Sequence, residues 1–300
     1  MDKTDVILCQ LLLANSRVPY RQLADKLDLS VTAVHNRIQA LTDLGIIRKF
    51  TASISVLAQN AIHVLIFGSS KANPVSALKT KLENQGSIYW LAIAGGSILY
   101  IGAFLKNIGE LDGLVRFVKE TAEIPEPTVG LMGSPIPPML RNFSPRHAKL
   151  TMCDLDYKII RSLKNDSRKP TSEIAEELGV STKTVRRRLA RMEKNFLVQF
   201  SIEWYPDASN DLMSIFHVNL KADANPNSPN IILQKYYPKT LFYWSFSNIP
   251  NSYIFMVWTP TSKELREIRE ALEKEPTIQS IAPNIIYTGY IFPTWRDQIP

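Results

Sequence analysis

Five cations fall within nine residues at Lys183, Arg186, Arg187, Arg188 and Arg191, with Thr184 among them. Val185, Leu189 and Met192 recur there at i, i+4 and i+7, the stripe of a helix with one buried face. Steps of about 100° per residue turn Lys183, Thr184, Arg186, Arg187 and Arg191 outward and leave Arg188 on the flank. Guanidinium and ammonium groups so placed donate to phosphate oxygens and to base edges. A less charged set stands earlier in the chain, where Val34, Ile38 and Leu41 form the stripe. Thr32, His35, Asn36 and Gln39 turn outward and Arg37 flanks them. Amide side chains of this kind read bases through a paired donor and acceptor. Both sets offer recognition by charge and hydrogen bond, and neither offers bond-making.

The rest of the chain presents no nucleophile–base pair, no carboxylate pair at useful spacing and no phosphate-cradling loop. Cys9 and Cys153 are its only cysteines, and its four histidines lack metal-ligand spacing. His63 and His217 read as structural histidines. The expectation is a protein that is not an enzyme and uses no cofactor or metal.

The elements that must position these sets are legible because the chain repeats itself. Residues 5–49 superpose on 156–200 without a gap at a shift of 151. Asp5 meets Asp156, Ser16-Arg17 meets Ser167-Arg168, Pro19 meets Pro170, Ser30 meets Ser181, and Arg37 meets Arg188. Leu23, Ile38 and Leu41 meet Ile174, Leu189 and Met192. Each copy reads as three helices and a wing. In the first, Val6, Leu8, Leu12 and Leu13 line helix one, and Leu23, Ala24 and Leu27 line helix two. Ser30 caps helix three, and Gly45 takes the left-handed stop position. Residues 46–50 and 52–56 suit the two short strands of a wing. In the second, Thr171 is expected to cap helix two and Ser181 helix three, with Asn195 replacing the terminal glycine. Three helices with a tight turn between the second and third make a winged helix-turn-helix.

The stretches from Ser16 to Phe50 and from Ser167 to Phe200 resemble the DNA-binding domain of the Lrp/AsnC (feast/famine) regulators. The shared marks are Ser-Arg-x-Pro, the Leu-Ala-x-x-Leu run into the serine cap, Val-x-x-Arg in helix three and Leu-x-x-x-Gly-Ile-Ile into the wing. The resemblance implies a duplex-DNA partner, a βαββαβ ferredoxin-like domain after each helix-turn-helix, and pairing of subunits through that domain into a homo-oligomer. It also implies an amino-acid effector bound near a Gly-x-Tyr-Asp turn. This chain has Gly95-Gly96-Ser97 at that turn in the first copy, without the acid, and Asn248-Ile249-Pro250-Asn251-Ser252 in the second. Some Lrp-like pairs are instead tetrapyrrole (sirohaem) decarboxylases, and a third alternative is a non-specific chromosome-organising protein that grips phosphates.

The intervening segments fit that layout by their own patterning. Strands are predicted at 62–68, 88–94, 98–104 and 128–132, with helices at 74–84 and 108–120. In the second half strands are predicted at 213–220, 241–246, 253–259 and 278–291, with helices at 231–237 and 262–274, the latter capped by Ser262. Phe242-Tyr243-Trp244 facing Tyr253, Phe255 and Trp258 reads as a cross-strand core. The fold class is α+β. Its expected parts are a winged helix-turn-helix over 1–56, a ferredoxin-like domain over 57–133, a Pro-rich linker over 134–150, a second winged helix-turn-helix over 151–206 and a second ferredoxin-like domain over 207–300.

Composition agrees. Apolar residues make up 45% of the chain and charged residues 21%, enough to bury cores. The net charge of +7 favours an anionic partner. Residues 151–201 hold eleven Lys/Arg against seven Asp/Glu, whereas 1–50 hold seven against five. The second copy is therefore expected to supply more electrostatic affinity and the first more base discrimination. With no secretory signal, no apolar run of transmembrane length and no disulfide framework, the expected location is the cytoplasm, on the nucleoid.

Overall fold

A computed structural model describes residues 1–133 and 152–299, so the expected linker at 134–150 lies outside the described residues. In chain order the first copy runs α1 (Lys3–Ala14), α2 (Tyr20–Leu27), α3 (Val31–Asp43) and β1 (Ile47–Ile54). It continues with β2 (Ile62–Ser69), α4 (Leu78–Glu83), β3 (Ile88–Ala94), β4 (Ile98–Leu105), α5 (Leu111–Thr121) and β5 (Thr128–Leu131). The second copy runs α6 (Asp154–Leu163), α7 (Thr171–Glu177), α8 (Thr182–Lys194) and β6 (Val198–Trp204). Then come β7 (Leu212–Leu220), α9 (Ser228–Lys235), β8 (Thr240–Ser245), β9 (Ser252–Thr259), α10 (Ser262–Glu273) and β10 (Ile278–Ile291). The four successive segments regroup as two units. One holds both helix-turn-helix copies, and the other holds both βαββαβ halves.

In the helix-turn-helix unit, Ser30 and Ser181 cap α3 and α8, each accepting the backbone N–H three residues on at 3.1 Å. Gly45 takes φ +71° after α3 as expected. After α8 the left-handed residue is Phe196, at φ +52°, and not Asn195, at φ −103°. The repeat register requires this, since Gly45 shifted by 151 lands on Phe196. Asn195 instead returns its side-chain amide to the Arg191 carbonyl at 2.7 Å. Thr171 does not cap α7, because Pro170 holds the cap position; its hydroxyl accepts from Arg186 Nε at 3.4 Å.

The wing is not a hairpin within each copy. Each copy contributes one strand, and β1 pairs antiparallel with β6 from Ile47↔Trp204 to Ile54↔Val198. A lone strand would leave a row of backbone groups unpaired, and the other copy supplies the missing ladder. Ala52 and Ile54 of β1 thereby enter the core of the second copy beside Ile159, Ile160, Leu163 and Val185. Each fully buried aliphatic side chain there stabilises the unit by about 1.5–3 kcal/mol. Ser16 and Ser167, equivalent in the repeat and both fully buried, meet hydroxyl to hydroxyl at 2.6 Å. After β10, Arg296 donates to the Ile54 carbonyl and to Gln59 Oε1 at 2.7 and 2.9 Å, tying the last described residues to this unit.

The second unit is one eight-stranded antiparallel sheet of order β5-β2-β4-β3-β10-β7-β9-β8. Each copy contributes four strands as expected, but the two halves share β10, whose first half pairs with β7 and second half with β3. The outer strands also meet. Met132 bridges Phe246, Gly133 N–H donates to Ser245 O at 2.9 Å, and Ser247 N–H donates to Leu131 O at 2.8 Å. Asn248 seals the seam by accepting from Leu131 N–H and donating to Val129 O, both at 2.8 Å. These contacts curl the sheet into a barrel whose outer strands meet at this seam. Gly130 faces the Phe246 ring so closely that any Cβ would collide with it.

The outer face of this barrel is apolar and covered by helices. Val64, Ile66, Leu99 and Ile101 pack with Leu78, Leu82, Leu114 and Val118 of α4 and α5. Phe216, Val218, Phe255 and Val257 pack with Ile232, Ile268 and Leu272 of α9 and α10. Thr261, one residue before the expected Ser262, caps α10 by accepting Glu264 N–H at 3.2 Å. On the other face Tyr100 Oη bonds His217 Nε2 at 2.6 Å and accepts from Asn284 Nδ2 at 2.9 Å. Burial without a charged partner holds His217 neutral, with its pKa down to about 4. His63 meets Tyr89 Oη at 2.8 Å. Of the expected aromatic cluster, Tyr243 packs on Tyr253 and Phe255. Strand alternation turns Phe242 and Trp244 to the opposite face, where Trp244 meets Trp90, and Trp258 Nε1 donates to Asp211. Among the described residues no helix is long and apolar enough to cross a membrane.

Candidate nucleic-acid interface

Helices α3 and α8 bury the predicted stripes, Val34, Ile38 and Leu41 in one and Val185, Leu189 and Met192 in the other. Thr32, His35, Asn36 and Gln39 are exposed on α3, as are Lys183, Arg186 and Arg187 on α8. Thr184 is half-buried and shares a 2.9 Å hydroxyl contact with Ser181. Gln39 donates to Asp43 Oδ1 at 2.8 Å, one turn along the same face. Among the described residues, the salt bridges include neither Lys183, Arg186 nor Arg187.

Three other expected contact residues are engaged within the fold. Arg37 donates to Asp5 Oδ1 at 2.6 Å and to Asp2 Oδ2 at 2.8 Å. Hydrogen bonding to Asp5 is the main cause that holds its pKa above the ordinary arginine value. Arg188 and Arg191 reach Asp156 Oδ2 at 3.3 and 3.0 Å. Asp156 has no exposed side-chain surface and also accepts Cys153 N–H at 3.0 Å, so it ties α8 to the start of α6. A charge taken out of water needs such partners. The two copies use the same pair, because Asp5–Arg37 and Asp156–Arg188 coincide under the 151-residue shift. That coincidence was visible in the repeat, yet the aspartates escaped sequence reasoning because charge on a helix face does not announce its partner.

A second set missed from sequence joins the copies. Arg17 donates to the carbonyls of Ser167 and Lys169, with its guanidinium 5.5 Å from the Phe200 ring centroid. Its repeat equivalent Arg168 donates to Val18 O at 3.3 Å and lies 4.5 Å from the Tyr20 ring centroid. Each copy thus clamps the other at the turn before helix two.

In the barrel unit Gly95–Ser97 forms a tight turn between β3 and β4, with φ +66° at Gly96 and +57° at Ser97. Its carbonyls are used locally, Gly96 O by Ser69 Oγ at 3.3 Å and Ser97 O by Ser70 N–H at 2.9 Å. Beside the Asn248 seam lies an open cleft of about 500 Å³, bounded by Asp112, Val115, Arg116, Lys119, Leu131 and Asn248.

Residues 152–193 match the family profile of the AsnC-type helix-turn-helix domain, and residues 1–48 match that of winged helix-turn-helix DNA-binding proteins. The chain is 32% identical over 129 residues to the HTH-type transcriptional regulator LysM of Sulfurisphaera tokodaii, covering 38% of this chain and 89% of that one. It is 38% identical over 111 residues to the HTH-type transcriptional regulator LrpA of Pyrococcus horikoshii, covering 37% and 79% respectively. These relatives each correspond to less than half of this chain. Over its whole length the fold is similar to the siroheme decarboxylase NirDL, with a TM-score of 0.60, 11% identity, and coverage of 98% and 94%. That likeness is one of fold alone. The fold and the two exposed helix faces define a helix-turn-helix protein with two reading heads. The chain belongs to the Lrp/AsnC family of HTH-type transcriptional regulators.

Proposed function

We infer that this chain is a site-specific DNA-binding transcription regulator in which one polypeptide supplies both reading heads. The observation that carries the reading is the pair of exposed polar faces on α3 and α8, braced within one unit by β1–β6 pairing. Each recognition helix enters a major groove, and the half-sites lie about one helical turn or a multiple apart. On α3, Asn36 and Gln39 read base edges, with Thr32 and His35 beside them. On α8, Lys183, Arg186 and Arg187 supply phosphate contacts and guanine readout, with Thr184 adjacent. Arg37 acts mainly by holding α3 against Asp2 and Asp5, and Arg188 and Arg191 by holding α8 against the buried Asp156. Because the faces differ, the operator is asymmetric.

The partner set extends this reading. The chains assemble as homo-oligomers, which light scattering checks against the monomer mass of 34.0 kDa, and the protein works in the cytoplasm on the nucleoid. An amino-acid effector would bind beside the Asn248 seam, where Arg116 and Lys119 complement a carboxylate and Asp112 an ammonium, or at the β3–β4 turn of Gly95, Gly96 and Ser97. Calorimetric titration with amino acids tests this.

Selection of bound fragments from a genomic pool at about 50 and 200 mM salt, followed by sequencing, tests the main proposal. A two-part asymmetric motif surviving the higher salt supports it. Binding that collapses with salt and enriches no motif indicates a chromosome-organising role instead. A second reading, tetrapyrrole decarboxylation, is favoured by the chain-length likeness to NirDL. Against it, the three arginines of the barrel unit, Arg116, Arg266 and Arg269, all stand on α5 and α10. Failure to bind DNA, together with a Soret band on adding sirohaem, would overturn the regulator reading.

A further inference from the structure

The geometry points to Arg168, a residue of the second copy, as the positioning residue for His35 on the recognition helix of the first. This rests on the DNA-reading role proposed for α3. The Arg168 guanidinium lies 4.5 Å from the Tyr20 ring centroid and 5.2 Å from that of Phe50, and it donates to Val18 O at 3.3 Å. Tyr20 opens α2, and its ring centroid lies 5.6 Å from that of His35, at 48°. His35 itself is exposed on α3. A solvent-exposed histidine on a helix otherwise exchanges among its rotamers. Tyr20 walls off part of that space, and Arg168 holds Tyr20.

The support runs one way. Shifted by 151 residues, Tyr20 becomes Thr171 and His35 becomes Arg186, joined by a single 3.4 Å bond within the second copy. Arg17, the counterpart of Arg168, donates to the carbonyls of Ser167 and Lys169 and not to Thr171. The first head therefore reads its bases in a geometry set by the second copy. The consequence is specific. Loss of Arg168 degrades discrimination at the base pairs that His35 reads and leaves the half-site under α8 unchanged.

The test uses the full chain carrying Arg168→Ala, Arg168→Lys, Tyr20→Leu or His35→Ala, each run through the two-salt selection. Arg168→Ala and Tyr20→Leu are expected to flatten base preference by about three- to tenfold at the same positions that His35→Ala flattens, the value of one ring or cation–ring contact. Arg168→Lys, which keeps a cation over the ring, restores most of it. In the DNA-free protein, the His35 imidazole cross-peaks in a proton–carbon NMR spectrum should move in Arg168→Ala. Unmoved cross-peaks overturn the proposal. So does flattening spread equally over both half-sites, which indicates general loosening of the unit. If the unsubstituted protein enriches no motif, the DNA reading itself falls, while moved cross-peaks still establish the Arg168–Tyr20–His35 support.

Discussion

Arg187 and Arg188 are neighbours in sequence, and the structure predicts opposite consequences for removing them. Arg188 donates to Asp156 Oδ2 at 3.3 Å, beside Arg191 at 3.0 Å, and this carboxylate is fully buried. Removing the carboxylate in Asp156→Ala deletes two charged hydrogen bonds and the contact from Cys153 N–H. Each charged bond contributes about 1.5–3 kcal/mol. The side chains of Arg188 and Arg191 are 27% and 33% exposed, so water partly replaces the lost partner. The expected cost is about 2–4 kcal/mol for Asp156→Ala. Arg188→Ala leaves Arg191 in place and should cost about 1–2 kcal/mol. Exposed Arg187 should change stability by no more than about 0.5 kcal/mol when replaced by alanine. Its removal should instead lower the slope of log affinity against log salt by about 1, the signature of one phosphate contact. Urea unfolding and fluorescence anisotropy across a potassium chloride series measure the two quantities on the same preparations. An Arg188→Ala protein with an unchanged unfolding midpoint and a salt slope reduced by one would refute the assignment of Arg188 to the fold.

Three further outcomes concern His217, Asn248 and Ser16. His217 has a folded pKa of about 4 against an ordinary value of 6.5, so only the unfolded chain takes up the proton between those values. Stability is then full above about pH 7 and falls as the pH drops through that window, by about 2 kcal/mol at pH 5; His217→Gln should flatten this part of the urea-stability profile. Asn248→Ala removes both side-chain bonds to β5 and should cost about 1–2 kcal/mol, with faster hydrogen exchange at Leu131 N–H as the direct readout. Ser16→Ala strands the buried Ser167 hydroxyl at a cost of about 1–2 kcal/mol. The Ser16→Ala/Ser167→Ala double substitution should cost less than the sum of the singles, and an additive cycle would count against their contact.

Local order was legible because it is written in local chemistry. The stripe Val34–Ile38–Leu41, the serine caps and the stop at Gly45 each depend on residues within one or two turns. The βαββαβ strands likewise appear within a residue or two of their predicted bounds, since alternation and turn residues are short-range signals. The misreadings share a cause. Thr171 is a good cap by type but stands one place past Pro170, and Asn195 was chosen by type where the repeat register puts Phe196. Local patterning suggests a two-stranded wing within each copy, whereas β1 finds its partner in β6, because a strand's partner is chosen across the chain.

By itself, then, the sequence determined the duplication, the helical faces, the family and the outward side chains of α3 and α8. Only the tertiary structure decided that β1 pairs with β6, that β5 and the end of β8 meet at one seam, and that Arg37, Arg188 and Arg191 point to aspartates. Periodicity reports which side of an element is buried. It carries no record of which distant backbone or charge lies opposite, because that choice belongs to three-dimensional packing between residues about 150 positions apart.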